Sequence, residues 1–217
     1  MSLSDYDWYA WHAPYDQLHT VETDRLEQVQ EAISAALDAA PPGRLTAVSA
    51  CSGQSRDLLP VLIDHPRGRD IDALMIELEP LNASFLHGAL GSTALTTVDV
   101  VVADAGAAAS YAGHVPAELL LMCGVFANIG LKDARHTIGR LGELVAPAGS
   151  VIWTTYGDSI EDADDVLAAF AGADFTPMSL VWAADRSWLV AVHRFDGDGR
   201  PWSDEGVLFA FRPPTEP

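Results

Sequence analysis

Five short runs of almost unbroken apolar, β-favouring residues divide the middle of the chain: Leu45 to Ala50, Ala73 to Glu77, Val98 to Ala103, Leu119 to Cys123 and Ser150 to Thr154. None alternates polar with apolar, as a strand with one wet face would, so each reads as a strand buried on both sides. Strands of that kind belong to parallel sheets, whose crossover connections lay helices over both faces. The segments between the runs can supply those helices. The rhythm predicts an α/β fold built on a doubly wound, mostly parallel sheet.

Ahead of the first run, Leu26, Val29, Ile33 and Leu37 fall at spacings of three and four, marking one helical stripe that Pro41, Pro42 and Gly43 end. Pro80 stands where a later helix would begin; Asp133 reads as the cap of the next, and Ser159 as the cap of a third before Val166, Leu167 and Phe170. Pro60 removes a backbone hydrogen bond from a helix starting near Arg56, which predicts a short or bent element. Towards the end the rhythm changes. Ser179 to Ala183 and Trp188 to Arg194 flank Ala184, Asp185 and Arg186 as the arms of an antiparallel hairpin, and Val207 to Phe211 reads as one further strand. For 217 residues without a long linker the expectation is a single domain over residues 1–217, with residues 1–40 forming an aromatic lid and a helix.

Charge narrows the partners. Twelve Lys and Arg against 31 Asp and Glu give a formal net charge of −19, which repels a phosphate backbone and argues against nucleic acid. Cys51 and Cys123 both fall at strand ends of one sheet, so a disulfide framework is not expected. Met1 to Trp11 is acidic and aromatic, without the basic and apolar regions of a secretory signal, and no apolar run reaches the length of a membrane span. The expectation is a cytoplasmic protein with no membrane partner; its oligomeric state is left open.

Ligands of open α/β sheets bind beyond the carboxyl ends of the strands, where strand order reverses, so the loops after the five runs matter most. The first contains Ser52, Gly53, Gln54 and Ser55, small enough for close backbone approach, and leads to Arg56 and Asp57. The second run ends at Glu77, 24 residues beyond Gly53, where an acid can accept both hydroxyls of a ribose. The third ends at Asp104, before Ala105 and Gly106, and the fourth leads into Cys123, Gly124 and Asn128. Taken singly, each has a structural reading: Gly53 as a turn, Glu77 as a solvated strand terminus, Asp104 as a turn residue. Their succession at three consecutive strand ends favours a nucleoside ligand. A dinucleotide fits poorly, because Gly53 alone remains where Gly-x-Gly-x-x-Gly would be required.

These residues resemble the class I S-adenosylmethionine-dependent methyltransferases, and more narrowly a group of actinobacterial small-molecule-type members. The resemblance runs through Trp8, Trp11, His12 and Tyr15, Ser55 to Pro60, His65-Pro66-Arg67 and Ile76 to Pro80. It continues through Ala103 to Gly106, Tyr111 to Gly113, Cys123 to Ile129 and Pro147 to Trp153. It implies a Rossmann-like seven-stranded sheet with an antiparallel last strand. It also implies S-adenosyl-L-methionine as cofactor, with its methionine end by Gly53, ribose on Glu77 and adenine by Asp104. The usual first motif of the superfamily has an acid at the position of Ser49 and glycines at those of Cys51 and Ser55; this chain keeps only Gly53. Arg56 reads either as a compensating partner of the cofactor carboxylate or as half of a structural salt bridge. The cofactor set read from these loops and the resemblance is Tyr15, Cys51, Ser52, Gly53, Arg56, Asp57, Glu77, Leu78, Asp104, Ala105, Cys123 and Gly124.

Methyl transfer aligns an electrophilic sulfonium with a nucleophile, and positioning with water excluded supplies much of the rate. The aromatic cluster Trp8, Tyr9, Trp11, His12 and Tyr15 reads either as a lid over the strand ends or as a cover for one edge of the core. His12 is the leading general-base candidate, ahead of His114 and Tyr156. Trp11, Asn128 and Tyr156 are candidate substrate contacts, Asn128 alternatively capping the helix that carries Lys132. The seven His residues are scattered without ligand spacing, so no metal is expected. Glu161, Asp162, Asp164 and Asp165 read as a solvated helix face. The leading function is methyl transfer to a small molecule in specialised metabolism. The alternatives are a fold relative that binds the cofactor as a scaffold subunit without transfer, and a non-methyl reaction such as cyclisation.

Overall fold

The computed structural model describes residues 6–212. The acidic, aromatic N-terminal stretch starts earlier, so its first five residues lie outside the described ones. From Ala10 to Asp16 the chain forms a turn of 3-10 helix, and Thr20 then starts helix α1, Val21–Ala39. The Thr20 hydroxyl accepts from the Thr23 amide at 3.2 Å while the Thr23 hydroxyl accepts from the Thr20 amide at 2.9 Å, a reciprocal cap. Val29, Ile33 and Leu37 bury the expected stripe.

Strands β1 (Leu45–Ala50), β2 (Ile71–Glu77), β3 (Val98–Val102), β4 (Ala117–Met122) and β5 (Val145–Tyr156) take in the five apolar runs save Ala103 and Cys123, and β5 begins five residues before its run. Helices α2 (Leu58–Asp64), α3 (Pro80–Leu90), α4 (Val125–Asn128), α5 (Leu131–Leu144) and α6 (Ala163–Ala171) lie between and after them. Pro80 opens α3, and α2, which carries Pro60, stops after seven residues. β6 (Phe175–Trp182) and β7 (Trp188–Phe195) form the hairpin. The seven strands lie in the order β3-β2-β1-β4-β5-β7-β6, with β7 antiparallel to both neighbours and the other pairings parallel.

Side chains of consecutive strand residues go to opposite faces, and two cores result. Leu119 and Leu121 of β4 join Ala47, Met75, Ile33 and Leu62 in the layer under α1, α2 and α3. Leu120 and Met122 join Val48, Ile76, Ile138 and Phe170 in the layer under α4, α5 and α6. From β1 the chain winds out to β2 and β3, then returns to lay β4 on the other side of β1. The reversal of strand order therefore falls between the ends of β1 and β4, beside Gly53 and Gly124.

Four expectations change. Val207 to Phe211 is no strand: only the isolated bridges Ala107–Val207 and Ile129–Phe211 form, and the segment crosses the loops after β3 and β4. β3 is the outer strand and only half buried, because its apolar run has a single neighbour. Gly130 rather than Asp133 precedes α5, so Asp133 lies in its first turn. Ser159 sits in a 3-10 turn ahead of α6 and donates to the Ala127 carbonyl at 2.9 Å, a tie between loops and not a cap. No helix among the described residues is long and apolar enough to cross a membrane.

Candidate active site

The loop after β1 takes a left-handed backbone at alternate residues: φ is +55° at Cys51, +55° at Gly53 and +47° at Ser55. The Ser52 amide donates to the Ile76 carbonyl at 2.9 Å, pinning the loop to β2. The Gly53 amide donates to Glu77 Oε2 at 2.6 Å and the Glu79 amide to Oε1 at 2.8 Å, which orients the carboxylate across the end of β2. Burial pushes the Glu77 carboxyl above its ordinary range, against the pull of these two amides. Each carboxylate oxygen retains a second acceptor direction.

Gly53 suits the left-handed backbone and, more sharply, leaves the space that His12 occupies. A Cβ at this position would lie 2.3 Å from His12 Nε2. The 3-10 turn thus lies directly over the glycine loop, with Trp11 edge-on to His12 at 5.1 Å between centroids and Tyr15 at 5.8 Å from Trp11. His12 Nδ1 is 2.9 Å from the Trp8 carbonyl, which can only accept, so Nδ1 carries the proton and the Nε2 lone pair faces Gly53 and the Gln54 amide. Burial holds the His12 pKa below its ordinary value and keeps the ring neutral near pH 7. Arg56 donates to Asp16 at 2.8 Å and to Gln54 Oε1 at 2.8 and 3.0 Å, and it also lines the cavity behind Gly53.

At the end of β3, Asp104 Oδ1 accepts from the Gly106 amide at 2.7 Å, and Ala105 is buried beside it. After β4, the Gly124 amide donates to Thr154 Oγ1 at 2.8 Å. Asn128 Nδ2 donates to the Gly124 carbonyl at 2.7 Å and, at 3.4 Å, to the Tyr156 hydroxyl, so it braces this loop and does not cap the following helix. Burial pushes the Tyr156 phenol up to about 12, which leaves it a neutral hydrogen-bonding group and a poor base. His114 is remote: its Nε2 faces Asp72 and Asp99 at 3.8 and 3.7 Å, near the opposite ends of β2 and β3.

Two cavities meet along this edge. The larger, about 580 Å³, is lined by Trp8, Trp11, His12, Cys51, Gly53, Glu77, Leu78, Glu79, Asn82, Asp104, Ala105, Cys123, Gly124, Asn128, Tyr156, Phe209, Ala210 and Phe211. The smaller, about 90 Å³, continues behind Gly53 to Tyr15, Arg25, Ser52, Arg56, Asp57 and Thr154. Every residue singled out as a cofactor or substrate contact lines one or both. A third groove, of about 630 Å³, lies on the outer side of the 3-10 turn against Leu59, Ile63 and Phe85, away from the strand-end carboxylates.

Sequence reasoning missed Asn82, Arg25 and the tail residues Phe209 and Phe211. Asn82 is fully buried in the first turn of α3; its Nδ2 donates to the Trp8 carbonyl at 3.5 Å while Oδ1 has no partner among the described residues. A buried amide oxygen without a donor, next to Glu77 and Glu79, suits a polar ligand. An Asn two residues after a helix-starting proline was the available signal. Trp8 meets Phe211 at 5.9 Å, joining segments from the two ends of the sequence over the cleft; no local pattern announces that pairing.

No protein-family model matches the sequence, and no curated protein is similar to it at the sequence level. Solved structures do match in shape. The N-methyltransferase NodS from Bradyrhizobium japonicum aligns over 81% of this chain and 97% of its own, at 13% identity and a TM-score of 0.57. A TehB-like SAM-dependent methyltransferase from Corynebacterium glutamicum aligns over 79% and 95%, at 13% identity and 0.56. This chain shares the Rossmann-like fold of these proteins. An O-methyltransferase family protein from Burkholderia thailandensis shares the fold at 16% identity and 0.61, over 81% of this chain and 56% of its own. In an open α/β sheet the carboxyl edge at the switch point between β1 and β4 is where a ligand is sought, and both cavities lie there.

Proposed function

We propose that the protein is an S-adenosylmethionine-dependent methyltransferase acting on a small molecule. The observation that carries this reading is the convergence of Glu77 and Asp104, from the ends of adjacent strands, on one cleft with the unpartnered Asn82 amide oxygen. A nucleoside, which offers hydroxyl and amine donors, fits that set of acceptors: Glu77 would hold ribose hydroxyls and Asp104 an exocyclic amine, with Leu78 and Ala105 against the base. The cofactor, when bound, supplies an electrophilic methyl group on a sulfonium.

The chain's own residues then have distinct tasks. Trp11, with Trp8, Phe209 and Phe211 around it, offers aromatic surface that excludes water and favours a cation. Tyr156 and Asn128 orient the acceptor through hydroxyl and amide. His12, neutral with Nε2 unprotonated, is the base for the proton that the acceptor nucleophile loses, once Nε2 gives up its long contact of 3.4 Å with the Gln54 amide. The larger cavity has no Lys or Arg in its lining and three carboxylates, which disfavours anionic acceptors and, with the net charge of −19, nucleic acid. A free metabolite in the cytoplasm is the expected acceptor, and the whole chain serves as one catalytic domain.

Calorimetric titration with S-adenosylhomocysteine, NAD and ATP tests the reading. Heat is expected with the first alone, and Glu77→Ala should weaken it at least tenfold, the loss of a charged acceptor costing about 1.5–3 kcal/mol. Absence of heat with the wild type would overturn the assignment. Binding without transfer is a second reading, motivated by Cys51 and Ser55 in place of glycines; failure to methylate any acceptor despite tight binding would favour it.

A further inference from the structure

Arg25, in the second turn of α1, is 5% exposed, yet among the described residues no carboxylate lies within ion-pair distance of it. Its guanidinium donates to the neutral Tyr15 hydroxyl at 3.0 Å and lies 4.0 Å over the Tyr156 ring. A guanidinium has five N–H donors and cannot shed its charge, so burying it beside two phenols leaves most of its hydrogen-bonding capacity unused and its charge met by one aromatic face and no anion. The group faces the cavity of about 90 Å³ behind Gly53, a volume on the scale of an amino-acid head group. Asp57 lines the same cavity. It accepts from the Leu58 amide at 2.7 Å and makes no ion pair among the described residues. One small chamber thus holds a buried cation and an acid that are not spent on each other.

We propose that Arg25 and Asp57 form a receptor for an α-amino-acid zwitterion, Arg25 taking the carboxylate and Asp57 the ammonium. The zwitterion is the methionyl end of the cofactor, so the inference rests on the reading given under Proposed function. It also accounts for the altered loop. Where the superfamily has an acid, this chain has Ser49, buried and used as a backbone acceptor for Ser52. Charge recognition has passed from the end of β1 to α1 and the residue before α2. Arg56, the other candidate for the carboxylate, is held by Asp16 and Gln54.

The test compares S-adenosylhomocysteine with 5′-methylthioadenosine, which keeps the nucleoside and sulfur but lacks the amino-acid end, and with free L-methionine. Wild-type protein should prefer S-adenosylhomocysteine by about 100-fold. Arg25→Met should cost that ligand about 10- to 100-fold, as expected for lost charged hydrogen bonds, and change 5′-methylthioadenosine less than twofold. Unchanged 5′-methylthioadenosine binding also reports an intact fold. Arg25→Lys should recover part of the loss, and Asp57→Asn should lower S-adenosylhomocysteine affinity about tenfold with the nucleoside unaffected. Equal wild-type affinity for the two nucleosides, or equal weakening of both by Arg25→Met, would overturn the receptor while leaving the cofactor assignment standing. Arg25-dependent binding of L-methionine without either nucleoside would uphold the receptor and overturn the cofactor assignment. Binding of none of the three overturns both.

Discussion

Cys51 and Ser55 occupy a backbone conformation that glycine adopts without penalty and that other L-residues adopt at about 1–2 kcal/mol each. The first loop therefore has the shape of a glycine-rich turn with a glycine at only one of its three left-handed positions. Its remaining hydrogen bonds, from Ser52 to β2 and from Gly53 to Glu77, hold it there. Cys51→Gly and Ser55→Gly should each raise stability, by roughly 0.5–1 kcal/mol after the added freedom of the unfolded chain is deducted. Urea denaturation checks this, and an unchanged or lower midpoint in both variants would mean the strain is relieved elsewhere. Glu77 and Asp104 were legible because an acid ending an apolar strand is out of place unless it faces a ligand or a loop amide, and here each accepts from one. Arg25 was not legible. Four residues before Val29 it stands in line with the buried stripe of α1, but at the helix's N-terminal end, where the stripe alone does not tell whether anything covers it; the fold encloses it against Tyr15 and Tyr156.

At the scale of elements, the strand rhythm was the most readable feature, since a strand buried on both faces admits few alternatives. The edges were less so: β3 has the same apolar composition as the central strands but one neighbour, a difference topology sets. The tail was misread for a related reason. Val207 to Phe211 is apolar because it covers Gly106 and the cleft, where a Cβ on Gly106 would lie 2.2 Å from the Phe209 carbonyl. Arg67 shows how an element depends on a distant residue. It donates to the carbonyls of Leu37, Ala40, Pro41 and Gly43 at 2.8–2.9 Å, closing the C-terminal end of α1, whose last carbonyls have no partners within the helix. Arg67→Ala should cost about 2 kcal/mol and speed amide hydrogen exchange in the last turn of α1 before that of β1 or β4. Equal acceleration throughout the sheet would argue against a local clamp.

For the whole molecule, composition weighed against nucleic acid as a partner but could not locate a polar group set deep in the aromatic core. His193, on β7, is 1% exposed and stacks on Phe170 at 4.4 Å between centroids. Its Nδ1 accepts from Trp153 Nε1 at 3.1 Å. Burial pushes its pKa down to about 4 from 6.5. Above pH 6.5 the ring is neutral whether the chain is folded or not. Between pH 6.5 and 4 the unfolded chain takes up a proton that the folded protein refuses, so stability falls as pH falls, by up to roughly 3 kcal/mol. Glu143, held low by Arg140, adds to the loss at still lower pH, whereas burial raises Asp57 and Glu77, which act in the opposite sense. The difference between wild type and His193→Phe isolates the histidine. The variant lacks the acceptor for Trp153 and should be less stable at pH 7.5, by about 1–3 kcal/mol, yet lose much less on going to pH 4.5. Parallel curves across that interval would show that His193 takes up its proton inside the fold as readily as in the unfolded chain.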